Sequence, residues 1–423
     1  MSASALPTQL NYADRPSSLP DGTSMLSAVI APSNGADFKE NSIVQFDLPA
    51  RDYLVPSSMY IRYKCEVKST AVAHMRGIPV YTPFIRSECV IGSQIVESIA
   101  DYGVVCNTLV NTKLNHATKA GMAYGFGLVG HTDEITNDNL DGRVLEGTTG
   151  ETWSMAAPLG NLLSNSEMLI PLGMMGGTRV QLTLDTISNM FSNGNDVTEI
   201  KLSQVELCID LVSFGGEVDA IVGSMADEEG NIIIKSQSYN TTTQTPPLFA
   251  GTQEMVFNQR LSSIKSIVAL MGRSKAGCNG KYDSVDISNK GNYQFTIASV
   301  PYPPRPLNAD CKAGIFMEMS NAWGVAHDLN SSQNSISPFA YSALVDGPDT
   351  GVSSPGKFIV AVNTERLSTS ALLTGVSSQL SPITFRIFRA GDPYVESSSI
   401  TLVTLFDALI IVNVASRQVS VKI

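Results

Sequence analysis

Hydrophobic and polar residues alternate along much of this chain, and the alternation predicts β-strands. The clearest case is the segment 59–67, whose apolar face holds Met59, Ile61, Tyr63, Cys65 and Val67. A period of two residues is that of a half-buried strand. We predict further strands over 42–48, 179–185, 202–212, 231–234, 260–270, 293–300, 357–362, 383–388, 401–412 and 419–423.

Two segments change to a helical period. Apolar residues recur at helical spacing over 104–117, with Asp101 as the expected N-cap, and the segment 313–323 is also predicted to be helical. Residues that form turns separate the other elements. We predict loops or turns at 90–96 around Gly92, at 121–160, at 241–247 and in the proline-rich segment 301–306.

The order of the predicted elements repeats after about 200 residues. Corresponding pairs are the strands near 61 and 264, the helices near 110 and 317, the strands 179–184 and 384–388, and the strands near 206 and 406. Few residues are identical between the two halves, so the repeat lies in the order of elements. A shared offset across four elements favours two copies of one fold.

Each half then has roughly eight short strands and one inserted helix, which suits a Greek-key sandwich of two antiparallel sheets. We predict an all-β protein with one short helix per domain, built as two tandem eight-stranded antiparallel jelly-roll sandwiches. The expected division is an extended N-terminal arm over 1–40, a first jelly roll over 41–220 and a second over 221–423.

Composition adds an expectation about surfaces. Of the 423 residues, 43% are hydrophobic and only 16% are charged, against about 25% charged in ordinary soluble domains. This excludes a disordered chain and a coiled coil. Because interface cores are depleted in charge, we expect much of each surface to face neighbouring subunits. The acidic excess should then lie on loop tips and outer surfaces.

The net charge of −11 argues against direct binding of nucleic acid. No segment gathers more than two adjacent basic residues, and the predicted arm holds only Arg15 and Lys39. Binding to phosphates depends on Lys and Arg that displace counterions. We therefore expect no direct binding of nucleic acid.

Cysteine usage and hydropathy predict a protein made inside a cell. The cysteines lie at 65, 89, 106, 208, 278 and 311 and form no C-x-x-C pair. This spacing indicates neither a disulfide framework nor a metal site. Residues 1–20 lack the apolar region of a signal peptide. The longest apolar stretch, 400–415, is interrupted by polar residues and is too short for a transmembrane segment.

Motifs of binding chemistry are incomplete in this sequence. The segment 351–357 reads G-x-x-x-x-G-K, but Phe358 stands where a P-loop needs Ser or Thr, so a loop before a strand is the favoured interpretation. The loop Asn137 to Asp141 resembles a calcium loop, with Thr148 in place of the chelating Glu. A solvated turn is favoured there, and a weak structural cation site is the alternative.

Catalytic patterns are also missing. The histidines at 74, 116, 131 and 327 are scattered, no G-x-S-x-G segment occurs, and the acidic run 227–229 suits a solvated loop. We predict no catalytic, cofactor-binding or metal-ligating residues, no cofactor and no enzymatic activity. Apolar residues in the loops at 124–126, 174–175 and 338–341 either tuck under their own loops or lie between subunits.

The order of elements and several short strings resemble the double jelly-roll major capsid proteins of the PRD1–adenovirus lineage. The resemblance covers about 40 to 423. The strings are Gly22-Thr-Ser-Met25, Ala31-Pro32-Ser33, Pro79-Val-Tyr-Thr-Pro-Phe84, Ile170-Pro171-Leu172, Phe257-Asn-Gln-Arg260, Ser262-Ser-Ile-Lys265, Tyr302-Pro303 and Leu405-Phe-Asp407-Ala-Leu-Ile-Ile411.

The resemblance implies a structural protein of the virion: a homotrimer whose six jelly rolls form a pseudo-hexameric capsomer that tiles an icosahedral shell. Its implied partners are itself, neighbouring capsomers, and penton and minor capsid proteins. Two alternatives stay open. One is the two-jelly-roll coat protein of a picorna-like RNA virus. The other is a carbohydrate-binding β-sandwich protein, which would need an aromatic platform around Trp153 or Trp323, or a pair of carboxylates.

Overall fold

Most of the chain is described by a computed structural model. The described residues are 22–71, 73–128, 142–145, 150–191, 196–214, 216–246, 251–273, 281–282, 284, 286–288, 290–323, 335–336, 341, 357–365, 373–389 and 398–423. Strands dominate these residues, and their helices are few and short. No helix among them is long and apolar enough to span a membrane.

The first half of the chain contains the strands β1 (Ser24–Ile30), β2 (Asp37–Lys39), β3 (Ile43–Asp47), β4 (Tyr53–Leu54), β5 (Tyr60–Ser69), β6 (Ala73–Arg76), β7 (Phe84–Ile91), β8 (Gln94–Ala100), β9 (Gly142–Leu145), β10 (Glu151–Pro158), β11 (Ile170–Pro171), β12 (Thr178–Leu184) and β13 (Val197–Ser213). Its helices are α1 (Tyr102–Lys113), α2 (His116–Gly121), α3 (Ala123–Phe126) and α4 (Ile187–Met190).

Helix α5 (Gly216–Ser224) joins this half to the second half. The second half contains β14 (Asn231–Gln244), β15 (Gly251–Phe257), β16 (Ile264–Arg273), β17 (Asn292–Ile297), β18 (Val300–Asn308), α6 (Lys312–Asn321), β19 (Ile359–Asn363), β20 (Ile383–Arg389), β21 (Ser398–Asn413) and β22 (Val419–Lys422).

Each half forms a sandwich of two antiparallel sheets. In the first roll, one sheet has the order β10-β5-β13-β4-β11 with β1 and β2 also paired to β13, and the other has the order β3-β12-β7-β8. In the second roll the orders are β14-β21-β16-β19, with β22 paired to β21, and β15-β20-β17-β18. The two rolls therefore repeat one topology, as the element order predicts, and the fold is two tandem jelly rolls.

Alternation along the strands builds the core. In β5, Ile61, Tyr63 and Cys65 are buried, while Arg62 and Lys64 are exposed. The same alternation runs through β12, where Val180 and Leu182 are fully buried. Gly92 takes φ of 62° at the β7–β8 hairpin, a value that residues with a side chain rarely adopt. These elements are confirmed as predicted from the sequence pattern.

Three predicted loops contain strands. The segment 121–160 contains β10, which pairs with β5, and the predicted loop 241–247 begins with the last four residues of β14. The predicted turn 301–306 lies in β18, which pairs with β17 at the edge of its sheet. An edge strand tolerates proline because its outward-facing N–H groups need no partner in the sheet.

One further detail differs from the expectation, at the start of α1. Asp101 precedes α1, but its side chain makes no capping hydrogen bond, and its backbone is left-handed with φ of 48°. Its carboxylate instead pairs with Lys281 at 3.1 Å. Within the predicted arm 1–40, β1 and β2 pair with β13 of the same chain. Residues 1–21 lie outside the described part.

Candidate subunit interfaces

The two rolls meet where β8 of the first roll faces β14 of the second, and we call this contact the inter-roll interface. Thr241 donates a hydrogen bond to the carbonyl of Ala100 at 2.7 Å. Ser236 donates to the carbonyl of Leu162 at 2.5 Å. The Asn165 amide donates to the carbonyl of Gln237 at 3.1 Å. Side chains thus connect the rolls without forming a shared β-ladder.

Glu97 of β8 lies at the centre of the inter-roll interface. It is buried, and its carboxylate accepts hydrogen bonds from the backbone N–H of Leu162 at 2.9 Å and from the hydroxyl of Ser238. Burial raises the pKa of Glu97 to about 7 because the charged form loses its hydration, although both hydrogen bonds oppose this rise. A cavity of about 90 Å³ adjoins it, lined by residues that include Tyr239 and Phe406.

A second part of the inter-roll interface surrounds the start of α1. Lys281 of the second roll pairs with Asp185 at 2.7 Å and with Asp101 at 3.1 Å. The Tyr282 hydroxyl donates to the carbonyl of Thr82 at 3.2 Å. Lys281 is partly buried between the two carboxylates and supplies the positive charge that the buried Asp185 needs. This contact fixes the second roll against the helix of the first.

Lys113, at the end of α1, lies against aromatic rings of the second roll. Its Nζ is 4.8 Å from the ring centroid of Trp323 and 5.9 Å from that of Tyr239. Burial lowers the pKa of Lys113 to about 8, and the nearby Lys265 adds to this effect. Cation–π contacts favour the charged form and partly compensate for its lost hydration.

The inter-roll interface covers β14 but leaves its counterpart β1 open. Strand β14 pairs with β21 as β1 pairs with β13. In β14, Ser236 and Ser238 are each only 2% exposed. In β1 no residue is buried, and Met25 and Val29 are 69% and 54% exposed. An edge strand with exposed apolar residues is a surface that proteins normally cover.

The second open edge is β18, the counterpart of β8. Both strands end the four-stranded sheet of their roll. Residues of β8 contact β14 across the inter-roll interface, whereas β18 has one buried residue, Leu307, and Val300 is 47% exposed. Prolines 301, 303, 304 and 306 remove backbone donors from β18, so a partner would contact it through side chains. Among the described residues, β1 and β18 are thus left open, although their counterparts β14 and β8 meet in the inter-roll interface.

The described residues of the incomplete binding motifs lie in different elements of the fold. Lys357 is buried and lies just before β19, the position expected for a loop that leads into a strand. Residues 351–356 and the loop Asn137 to Asp141 lie outside the described residues. His74 lies in β6 and His116 begins α2. No cluster of His, Cys, Asp or Glu in the described part could hold a metal ion.

The burial of the cysteines, the tryptophans and the apolar residues of the predicted loops bears on their possible roles. Cys65, Cys89, Cys106 and Cys208 are buried free thiols, and Cys311 is exposed. Trp153 is 2% exposed and Trp323 packs against the core, so neither tryptophan forms an aromatic platform for a carbohydrate. Of the apolar residues in the predicted loops, Met175, Phe126 and Tyr341 are buried within the chain, whereas Tyr124 is 76% exposed. Tyr124 and Phe126 lie in α3 and not in a loop, and residues 338–340 lie outside the described part.

Sequence reasoning missed Glu97 and Lys113. Each is a single charged residue in an otherwise apolar or neutral segment, and such residues usually point to solvent. Their partners are far away in the chain, since Glu97 and Ser238 are 141 residues apart. The only local signal is a lone charge inside a strand or helix pattern, which does not by itself indicate an interface.

The fold is similar to that of solved capsid proteins. The Faustovirus major capsid protein matches with a TM-score of 0.62 at 8% identity, over 93% of this chain and 92% of that one. VP54 of PBCV-1, as fitted into a reconstruction of the virophage Sputnik, matches with 0.58 at 7% identity, over 92% and 94%. The mavirus major capsid protein matches with 0.54 at 9% identity, over 99% and 95%.

No protein-family model matches the sequence, and no curated protein sequence matches it. The similarity therefore rests on the path of the chain rather than on residue identity. It extends over both rolls, because each match covers more than nine-tenths of the chain. The chain therefore shares its double jelly-roll fold with these major capsid proteins.

Proposed function

We propose that this chain is a viral major capsid protein, a structural protein without catalytic activity. In the proposed assembly, three copies close into a ring of six jelly rolls. This pseudo-hexameric capsomer tiles an icosahedral shell, so the protein resides in the virion after synthesis inside the host cell. The similarity to capsid proteins supports the role, and the uncovered edges β1 and β18 support the ring.

The proposal rests on the difference in coverage between β14, which the first roll covers, and β1, which is open. Within one chain, the β8 side of the first roll covers β14 of the second. The β18 side of the second roll repeats the fold of the β8 side, and β1 repeats the position of β14. A second copy can therefore place its β18 side against β1 as the chain does internally. Repeating one head-to-tail contact around an axis closes a ring without open edges.

The division of the chain follows from the same proposal. The rolls over 41–220 and 221–423 act as two adjacent members of the six-membered ring, and the segment before them extends along the outer edge of β13 through β1. Joining two rolls in one chain makes half of the ring contacts intramolecular, which raises the effective concentration of each roll for the other. The proposed partners are other copies, neighbouring capsomers, and penton and minor capsid proteins.

Electron microscopy of the purified protein tests the proposed shape. We expect capsomers with six-sided outlines, isolated or tiled into shells. Shells of pseudo-T=3 geometry that need a second, smaller coat protein would instead favour the picorna-like alternative. A field of single two-lobed molecules with no ring at any concentration would overturn the proposal.

A further inference from the structure

The helix that joins the two rolls has an apolar face that no described residue covers fully. In α5 and the residue after it, Val218, Ile221, Val222 and Met225 follow the spacing i, i+3, i+4, i+7. We call these four residues the linker stripe. Such spacing places them on one side of a helix. Ile221 is 53% exposed and Met225 is 73% exposed, and none of the four is buried.

Residues next to the linker stripe attach the helix to the first roll. The hydroxyl of Tyr53 donates a hydrogen bond to the carboxylate of Asp219 at 2.7 Å. The ring of Tyr53 also packs edge-on against Phe214, just before the helix, with 5.2 Å between centroids. A helix of nine residues is marginal without tertiary contacts. These contacts hold α5 in place while Ile221 and Met225 stay exposed.

The segment that carries the linker stripe holds charges of one sign. The segment 214–234 contains five acidic residues and no Lys, Arg or His. Of these acidic residues, Asp227, Glu228 and Glu229 are exposed directly after the stripe. An apolar surface bordered by carboxylates fits a partner with an apolar face bordered by cations. A second α5 would bring like charges together, and anionic lipid headgroups would be repelled in the same way.

We infer that the linker stripe and the carboxylates of 227–229 dock a basic amphipathic helix of a second protein. Apolar residues of that helix would cover Ile221 and Met225, and its Lys or Arg side chains would face Asp227 to Glu229. Packing an amphipathic helix onto an apolar face is a recurrent mode of peptide recognition. The inference takes its setting from the proposed capsid role, in which an internal protein would hold capsomers together, but its test is independent of that role.

The test uses the full chain and two synthetic peptides of one amphipathic pattern. One peptide is built from Leu and Lys, and the other has Glu in place of every Lys. We expect the Leu/Lys peptide to bind with one site per chain by fluorescence anisotropy, and the Leu/Glu peptide not to bind. The double variant Ile221→Ser with Met225→Ser should weaken binding about tenfold or more. Because it keeps the net charge, this loss reports the apolar contact.

Two further variants complete the experiment. Leu380→Ser removes another exposed apolar side chain, which is 97% exposed, and should leave binding unchanged. The triple variant Asp227→Asn, Glu228→Gln and Glu229→Gln should also weaken binding and should reduce its dependence on salt. Equal binding by the parent chain and the Ile221/Met225 variant would overturn the inference, as would equal binding of the two peptides or preferential binding to anionic vesicles.

The oligomeric state of the Ile221/Met225 variant separates this inference from the proposed function. We expect the variant to assemble as the parent chain does, because the linker stripe shares no residue with the β1 and β18 edges. If the variant instead becomes monomeric, the stripe belongs to the contact between copies and the inference of a second protein is wrong. If both chains are monomeric and peptide binding follows the expected pattern, the capsid proposal fails while the docking site stands.

Discussion

At the scale of single residues, the ionisable side chain of Glu97 contributes to the contact between the two rolls. Glu97 is buried between the rolls, and its hydrogen bonds from Leu162 and Ser238 do not supply a positive charge. A buried carboxyl without a cation favours its neutral form. We therefore expect the inter-roll interface to be sensitive to the protonation state of Glu97 near neutral pH.

We predict that Glu97 makes the folded chain less stable as pH rises from about 4.5 to about 7. Its pKa is raised from 4.5 to about 7, so over this range the folded state keeps a proton that the unfolded state releases. The contribution is fully present below pH 4.5 and is lost as pH rises through 7, a change of about 3 kcal/mol. Urea unfolding of the parent chain at several pH values measures it.

The variant Glu97→Gln should flatten this pH dependence, because an amide at position 97 does not titrate. Glu254→Gln is the matched control, since Glu254 has a side chain 53% exposed on β15, and it should keep the parent slope. If the parent and Glu97→Gln lose stability equally between pH 5 and pH 8, Glu97 is not the titrating group.

At the scale of elements, the start of α1 approaches the second roll closely. Gly103 lies in the first turn of α1, where an added Cβ would come 2.6 Å from the Tyr282 hydroxyl and 2.8 Å from the Tyr81 carbonyl oxygen. A glycine at position 103 allows α1 to contact both the Tyr282 hydroxyl and the Tyr81 carbonyl oxygen. Glycine is required there by this close contact and not by an unusual backbone angle.

We predict that Gly103→Ala destabilises the chain by about 1–3 kcal/mol, since one added methyl group must displace the backbone or Tyr282. Gly121→Ala in α2 is the matched control, because a Cβ at that position meets no atom within 4 Å. Alanine generally stabilises a helix relative to glycine, so the control should unfold at the same or a higher denaturant concentration. Equal effects of the two substitutions would contradict the packing argument.

Elements with strong alternation were predictable, and the exceptions have physical causes. The pattern at 59–67 gives β5 because one face is buried and the other is solvated. Strand β18 was predicted as a turn because its prolines are normally excluded from ladders, yet its position at a sheet edge makes them acceptable. In β10, buried Trp153 and Met155 alternate with small residues, and the surrounding glycines hide that pattern.

At the scale of the whole molecule, the repeated topology accounts for the two similar rolls and for the open edges β1 and β18. Sequence order predicted two similar rolls, but it could not predict which faces meet, because the inter-roll interface joins residues such as Glu97 and Ser238 from different halves. The structure shows that β14 is covered while β1 is open. The low fraction of charged residues in the sequence agrees with such open apolar edges. Charge is nevertheless present next to an apolar surface, since Asp227 to Glu229 directly follow the linker stripe.

The mass of the purified protein by size-exclusion chromatography with light scattering tests the ring most directly. We predict a species of three times the 45.2 kDa chain mass, or larger shells. Val29→Asp places a charge on the open edge of β1 and should shift the protein toward monomers, whereas Leu380→Asp should not. A parent chain that is strictly monomeric at micromolar concentration, or a Val29→Asp variant that assembles like the parent, would contradict closure through β1.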